Sequence, residues 1–304
     1  MTIQNVVIHF IYNYFSSVLR ALGDSVTPLY FLTLSAGLNI VGDIVAVVVF
    51  KLGIAGCALS TLVCQGLSCL LAYLYIVRKI PFLNMGRDWF LFDRTMFKKT
   101  VTYGSVTAIQ QSTIQMGILG VQAIVNSMGA AATAGFAAAN RIDDFSLIPG
   151  RNIANAMTAV MAQNDGAGKK ERVKKAFFVG MALETGFGVT ASVLLYLFYG
   201  AGMRLFTDEA PVLMQGETYL RLIALMYLMP ALTNGIQGYF RGIGNMKITL
   251  AASIINMGMR FLSCMLYVFI FKMGIEAVPW ACFTGWFAMS ILEVPILIRS
   301  IRKL

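Results

Sequence analysis

The chain has 304 residues, of which 58% are hydrophobic and only 12% charged, and its mean hydropathy is +0.73. A soluble domain carries about 25% charged residues, so this composition excludes a disordered chain, a nucleic-acid-binding arm and an ordinary cytosolic enzyme. The formal net charge of +10 does not signal nucleic acid either, because most of the basic residues fall in short segments between long apolar stretches.

A bilayer core calls for about 20 mainly apolar residues per helix. In chain order, nine stretches meet that requirement: 3–21, 29–50, 54–77, 103–127, 131–162, 175–200, 212–238, 248–271 and 275–298. The first contains His9 and Asn13, lacks a basic leader and a small-residue cleavage pattern, and so reads as a span and not as a signal peptide. The fifth is long and contains Pro149 among polar neighbours, which predicts a kink or different bounds. The alternating segments of a membrane β-barrel do not occur. The predicted fold class is therefore all-α, a polytopic transmembrane helical bundle.

Basic residues cluster on alternate connections. Arg20 ends the first span; Arg78, Lys79, Arg87, Arg94, Lys98 and Lys99 lie between the third and fourth. Lys169, Lys170, Arg172, Lys174 and Lys175 lie between the fifth and sixth, Arg241 and Lys247 follow the seventh, and Arg299, Arg302 and Lys303 close the chain. The opposite face would carry only Lys51, Arg204 and Lys272. The excess of positive charge marks the cytoplasmic side and places the C-terminus there, with anionic lipid headgroups as natural neighbours. The five cysteines (Cys57, Cys64, Cys69, Cys264 and Cys282) all fall inside spans and read as small packing residues. His9, the only histidine, offers neither a zinc cluster nor a nucleophilic triad, and no phosphate-binding loop or dinucleotide fingerprint is present. No enzymatic activity and no cofactor are expected.

The chain repeats itself. At an offset of 221 residues, Arg20–Ala21–Leu22–Gly23–Asp24 falls on Arg241–Gly242–Ile243–Gly244–Asn245, and Phe50–Lys51–Leu52–Gly53–Ile54 falls on Phe271–Lys272–Met273–Gly274–Ile275. Asn13 meets Asn234, Leu29 meets Leu250 and Gly37 meets Gly258. Because polar and glycine positions coincide as well as apolar ones, duplication is the economical explanation. The first span matches the seventh, so the copies share one orientation and should be related by an axis along the membrane normal. The expected organisation is a remnant of an amino-terminal lobe over 1–77, a basic cytoplasmic linker over 78–100 and a complete carboxy-terminal lobe over 101–304. Relative to two complete copies, roughly 125 residues and three spans would be missing.

Three motifs point to a family. They are Tyr12–Asn13 through Leu19–Arg20–Ala21–Leu22–Gly23–Asp24–Ser25 to Thr27–Pro28–Leu29; Ala138–Ala139–Asn140–Arg141–Ile142–Asp143 followed by Pro149; and Gln163–Asn164–Asp165–Gly166–Ala167–Gly168 followed by Glu171–Arg172. Together they resemble the multidrug and toxic compound extrusion (MATE) family, from its fourth helix to its twelfth. The resemblance implies a two-lobe MATE-type fold with a truncated amino-terminal lobe, in the inner or plasma membrane of a bacterium. It implies export of small cationic or amphiphilic molecules in exchange for H+ or Na+ by alternating access, by a protein that is monomeric at full length. The family's first three helices, and the first-helix carboxylate used for coupling in many members, have no counterpart here.

Asp43 is the sharpest single residue. A carboxylate deep in a span costs about 2.5–3.5 kcal/mol on insertion scales, so an ionisable residue there reads first as functional. Asn39 lies one turn earlier on the same face, and Thr61 on the next helix adds a hydroxyl. Oxygen ligands suit a hard cation, and a carboxylate facing a low-dielectric space also suits a proton. The resemblance assigns Asn39, Asp43 and Thr61 to the family's amino-terminal cation site, a metal site only if Na+ is the coupling ion. The second copy has Arg260 and Cys264 opposite Asn39 and Asp43, so coupling in the first lobe alone is expected. The spans 103–127 and 212–238 carry amides and only Glu217, which argues against a carboxylate-rich site there. Candidates for the substrate site are Gln111, Gln115, Asn140, Asp143, Asn234 and Met257, with Met116 and Met157 as further adaptable apolar groups. Arg141 is expected to neutralise Asp143 or Asp144, and Glu184, Arg260 and Glu293 to join similar pairs. Trp89, Trp280 and Trp286 read as interface anchors or packed aromatics. Two alternatives stand beside drug export. A flippase for lipid-linked oligosaccharides would want more deep basic residues than Arg141, Arg151, Arg221 and Arg260. The other alternative is a non-transporting membrane protein that needs a partner.

Overall fold

The computed structural model describes residues 3–80 and 92–302. Arg87, Trp89 and Lys303 lie outside the described residues, as does the middle of the predicted linker. In chain order the helices are α1 (Ile3–Ala21), α2 (Val26–Ile44), α3 (Gly53–Lys79), α4 (Arg94–Asn126), α5 (Ala130–Gly166), α6 (Lys170–Arg204), α7 (Ala210–Leu225), α8 (Leu228–Gly242), α9 (Met246–Met265) and α10 (Ala277–Ile301). Two π-helical turns, Val45–Val49 and Leu266–Ile270, extend α2 and α9. Among the described residues there is no strand. The chain forms two compact units, Met1–Asp93 and Arg94–Leu304.

Every predicted span has a helical counterpart, with three differences. The seventh is not one rod: α7 and α8 are bent by 56° at Met226–Tyr227. The cause is Pro230 in the first turn of α8. Its ring would clash with the carbonyl four residues earlier, that of Met226, if the helix ran straight on. The fourth begins at Arg94 and not at 103, so Arg94, Lys98 and Lys99 stand on the first turns of a helix and not in a linker. The fifth runs through Pro149 without interruption, from Ala130 to Gly166; membrane helices tolerate proline where neighbours satisfy the freed carbonyl.

Among the described residues, five helical stretches are long and apolar enough to cross a bilayer by themselves, and the bent pair makes a sixth. The helices α4 and α5 fall short of that apolarity because each carries a polar inner face, seen below. The outer faces of α2, α3 and α6 are apolar and exposed, as at Val48, Ile54 and Leu197, which is the arrangement hydrocarbon requires. Inside the larger unit, Tyr219, Tyr227, Leu220 and Cys264 belong to one packed core, while Met157, Met161, Phe177 and Tyr239 form another.

The 221-residue repeat extends to the backbone. Both π turns sit at that offset. Phe50 N donates to Val45 O and Phe271 N to Leu266 O, each at 3.1 Å; Leu52 N donates to Ala46 O and Met273 N to Tyr267 O, each at 3.0 Å. Lys51 and Lys272 both adopt a left-handed conformation, with φ of 54° and 56°, unusual for a side-chain-bearing residue. Gly23 and Gly244, at φ of 92° and 73°, close the equivalent α1–α2 and α8–α9 turns.

At the first of these turns Asp24 accepts the Thr27 N–H at 3.0 Å and the Tyr75 hydroxyl at 3.2 Å, tying the turn to α3. The Thr27 backbone N–H, followed by the Thr27 hydroxyl, holds Asp24 below the usual carboxylate range. A lowered folded-state value means that the carboxylate stabilises the unit above its unfolded-state titration and loses that effect as pH falls through the folded one. Asp24→Ala should therefore lower the thermal unfolding midpoint at neutral pH, and acidification should erase the difference from wild type. An unchanged difference in acid would count against this role.

Candidate functional site

In the amino-terminal unit the predicted trio comes together. Asn39 Nδ2 donates to Asp43 Oδ1 at 3.3 Å and to Thr61 Oγ1 at 3.3 Å. Ser60, which sequence reasoning missed, completes the group: Asn39 Nδ2 donates to its Oγ at 3.1 Å, and that hydroxyl donates to Asn39 O at 3.3 Å. Gly42 leaves room for the Ser60 hydroxyl in this orientation, since a Cβ there would lie 2.4 Å from Ser60 Oγ. Three oxygens thus converge on one point, held by an amide nitrogen. Swapping the amide's two ends would present a fourth oxygen. One carboxylate and three neutral oxygens suit a proton or a monovalent cation. Among the described residues no group of three or more His, Cys, Asp or Glu side chains could hold a metal ion.

In the repeat, Asn39, Asp43 and Thr61 correspond to Arg260, Cys264 and Cys282. These three also lie together, with Arg260 interacting electrostatically with both cysteines and with Asp143. Where the first unit has an oxygen pocket, the second has a guanidinium.

The carboxy-terminal unit encloses a cavity of about 690 Å³. All six substrate-site candidates line it: Gln111 and Gln115 from α4, Asn140 and Asp143 from α5, Asn234 from α8 and Met257 from α9. Met116 does not; it is 72% exposed on the outer face of α4. Met157 is buried in the core with Phe177 and Tyr239. Methionine suits both cores and pockets, so its identity alone could not tell these positions apart. Trp286 lines the cavity and is not an interface anchor, whereas Trp280 is largely exposed beside Phe283.

Charge in the cavity wall is answered locally, though not as the sequence suggested. Asp143 accepts hydrogen bonds from Tyr219 at 3.1 Å and Tyr227 at 2.5 Å. Asp144 pairs with Arg151 at 3.0 Å and accepts from Asn140 Nδ2 at 3.4 Å. Arg141 is exposed and takes neither aspartate; the partner lies two turns on along α5, on the face that Asp144 occupies. Arg241, not counted among the deep basic residues, lines the cavity, while Arg141 and Arg221 do not. Gln110 Nε2 donates to Ser253 Oγ at 2.8 Å and to Gln237 Oε1 at 3.4 Å, and Gln237 Nε2 donates to Glu293 Oε1 at 2.7 Å. Amides, tyrosine hydroxyls, both signs of charge and an indole make a wall able to hold a polar or amphiphilic organic molecule.

Known proteins resemble this chain along most of its length. A family model described as MatE matches residues 107–266. A probable multidrug resistance protein, YpnP, of Bacillus subtilis (strain 168) is 30% identical over 247 residues, covering 81% of this chain and 55% of that protein. A probable multidrug resistance protein NorM of Thermotoga maritima is 28% identical over 240 residues, covering 76% of this chain and 50% of its own length. The chain thus spans about half the length of the curated relatives it matches. A crystal structure of MATE in the bent conformation superposes with a TM-score of 0.91 at 20% identity, covering 98% of this chain and 67% of that one; it establishes the fold.

The tyrosine pair makes the cavity testable by itself. Tyr227→Phe should leave Asp143 with Tyr219 as its remaining hydroxyl donor and destabilise the protein by about 1–3 kcal/mol, the cost of an unsatisfied buried acceptor. Thermal unfolding in detergent measures this. A variant as stable as wild type would show that the bond contributes nothing.

Proposed function

The chain belongs to the MatE family, a family of transporters and not of enzymes, and on that premise we propose that it works as a secondary active exporter of small cationic or amphiphilic molecules. In this reading the cavity of the carboxy-terminal unit holds the cargo, and Asn39, Asp43, Ser60 and Thr61 bind the coupling ion, H+ or Na+. The observation that carries the coupling is the convergence of three oxygens on one point beside Asp43, which has no ion-pair partner among the described residues. Binding a cation there neutralises the carboxylate. An ion that prefers one packing of α2 against α3 over another shifts the protein between them, and only such a differential affinity can drive transport. The reading keeps the carboxy-terminal end in the cytoplasm, treats 1–77 and 101–304 as two lobes joined by the basic segment 78–100, and takes the full-length protein as a monomer.

Cargo charge is argued from the arginines. A pyrophosphate-bearing lipid needs guanidinium groups free to receive it. Arg151, Arg241 and Arg260 line the cavity; Arg151 is paired with Asp144, while the negative charge of Glu184 and Glu293 acts on Arg241 and that of Asp143 on Arg260, without ion-pair contact. A cationic or neutral amphiphile, met by the cavity's amides, fits this wall better than an anion.

The test is efflux of a fluorescent cationic dye from cells lacking their own pumps. The chain is expressed alone and, separately, preceded by the amino-terminal segment of a full-length relative. At least one form should export dye under an imposed pH or Na+ gradient, and the gradient that drives export names the ion. Asp43→Asn should abolish gradient-driven export at an unchanged membrane level, with smaller losses in Asn39→Ala and Thr61→Ala. Undiminished export by Asp43→Asn would overturn the coupling assignment. Absence of export from both forms, together with co-purification of a partner, would favour a non-transporting subunit.

A further inference from the structure

Buried charge gathers at one more place in the carboxy-terminal unit. Glu184 on α6 and Glu293 on α10 have no exposed surface at all. Arg241, in the last turn of α8, is the charged group that acts electrostatically on both of them, without ion-pair contact to either. Both carboxylate oxygens of Glu184, Oε2 of Glu293 and Nε of Arg241 are buried without a hydrogen-bond partner. What else surrounds the pair is neutral. From α5 come the Ala154 backbone, which acts on Glu184, and Gly150, where a Cβ would lie 3.3 Å from Glu184 Oε2; from α8 come Gly235 and Gln237; from α6 itself comes Phe187. Gln110 of α4 and Ser253 of α9 stand one hydrogen bond further away.

Two carboxylates and one guanidinium leave one negative charge in excess if all are ionised, in a setting where an unpaired charge is expensive. Two acids that share one counter-charge do not both ionise readily. A single proton removes the excess and turns an orphaned acceptor into a donor. A metal ion is a poorer fit, since the neighbours are hydrocarbon, glycine and a guanidinium that would repel it.

We propose that Glu184 and Glu293 form a proton-binding pair around Arg241, and that Gln237 transmits the state of the pair to the cavity. Arg241 lines the cavity and so connects the pair to water, the source of the proton. With Glu293 ionised, Gln237 donates to it and accepts from Gln110. With Glu293 Oε1 protonated, that oxygen becomes a donor, and the Gln237 amide must turn to accept from it. Its NH2 group then faces Gln110, and the hydrogen-bond polarity of that wall reverses. The pair lies outside the Asp43 cluster and does not depend on coupling there.

Infrared difference spectroscopy of the full chain in lipid vesicles, with 13C-labelled glutamate, tests the pair. The expected result is a label-sensitive protonated-carboxyl band that titrates with pH. Because Glu184 and Glu293 share one counter-charge, Glu184→Gln and Glu293→Gln should each abolish the band although the other acid remains. Arg241→Gln should enlarge it, and Asp43→Asn should leave it unchanged, which separates this inference from the coupling assignment above. Absence of the band in wild type overturns the proposal without any variant having to fold. So does a band that survives either single substitution. For the relay, ethidium binding to the chain should depend on pH in wild type and lose that dependence in Gln237→Leu while the band persists; a dependence retained in that variant overturns the relay.

Discussion

A charge placed in hydrocarbon has to be answered within a few ångströms, and that requirement organises this molecule. Asp43 is met by the Asn39 amide, which also donates to the Ser60 and Thr61 hydroxyls, Asp143 by two tyrosines and a nearby arginine, Asp144 by Arg151. The answers that cross between helices, Asn39 to Ser60 and Thr61 and the two tyrosines to Asp143, fix which helices lie side by side, and glycine supplies the closeness. A Cβ on Gly42 would strike Ser60, and one on Gly285 would lie 2.7 Å from Asn256 O and 3.2 Å from Arg260 Cβ. The polar contacts therefore select packing partners, and the small residues permit them, where apolar attraction between helices in lipid would select little.

The duplication shows the backbone and the chemistry diverging. π turns, left-handed lysines and glycine turns recur at the same offset in both copies, so the geometry that aims side chains at this depth has been kept. The side chains at the aimed positions have not. Asn39, Asp43 and Thr61 gather oxygens around one amide nitrogen. Arg260, Cys264 and Cys282 replace it with a cation that is covalently part of the chain, and Asp143 from α5 supplies the opposite charge. On the proposed reading, one copy is equipped for exchange at this position and the other is permanently filled.

Much of this was legible from composition and pattern. Apolar length located every helix, and the offset of 221 residues marked turns that the backbone reproduces. Polar residues on apolar helices identified six cavity positions, because an amide or carboxylate at that depth has few places to point. What stayed hidden depends on neighbours distant in sequence. Arg141 beside Asp143 and Asp144 looked like their counter-charge, yet helical geometry turns it away and brings Arg151 round instead. Tyr219 and Tyr227 carry no local sign that they will meet Asp143. Glu184, Arg241 and Glu293 are far apart in the chain and meet only because α6, α8 and α10 pack together. The break at Met226–Tyr227 needed Pro230 to be read as a clash with a particular carbonyl and not as a tolerated membrane proline, which is how Pro149 behaves.

That break also decides how the polar groups of the larger unit are divided. Tyr219 on α7 and Tyr227 at the bend both hold Asp143, which pins the segment before the bend and the bend itself to α5. Gln237 and Arg241, beyond the bend on α8, face Glu293 on α10 and Glu184 on α6. A straight helix would carry both groups on one rigid rod, and any shift at one would be imposed on the other. With 56° between α7 and α8, the hydrogen bonds to Asp143 can stay intact while those of α8 rearrange, because a hinge absorbs in a few backbone angles what a packed helix cannot. The cavity touches both groups, through Asp143 on one side and Gln237 and Arg241 on the other, so a molecule inside it meets one wall that is fixed and one that is free to change.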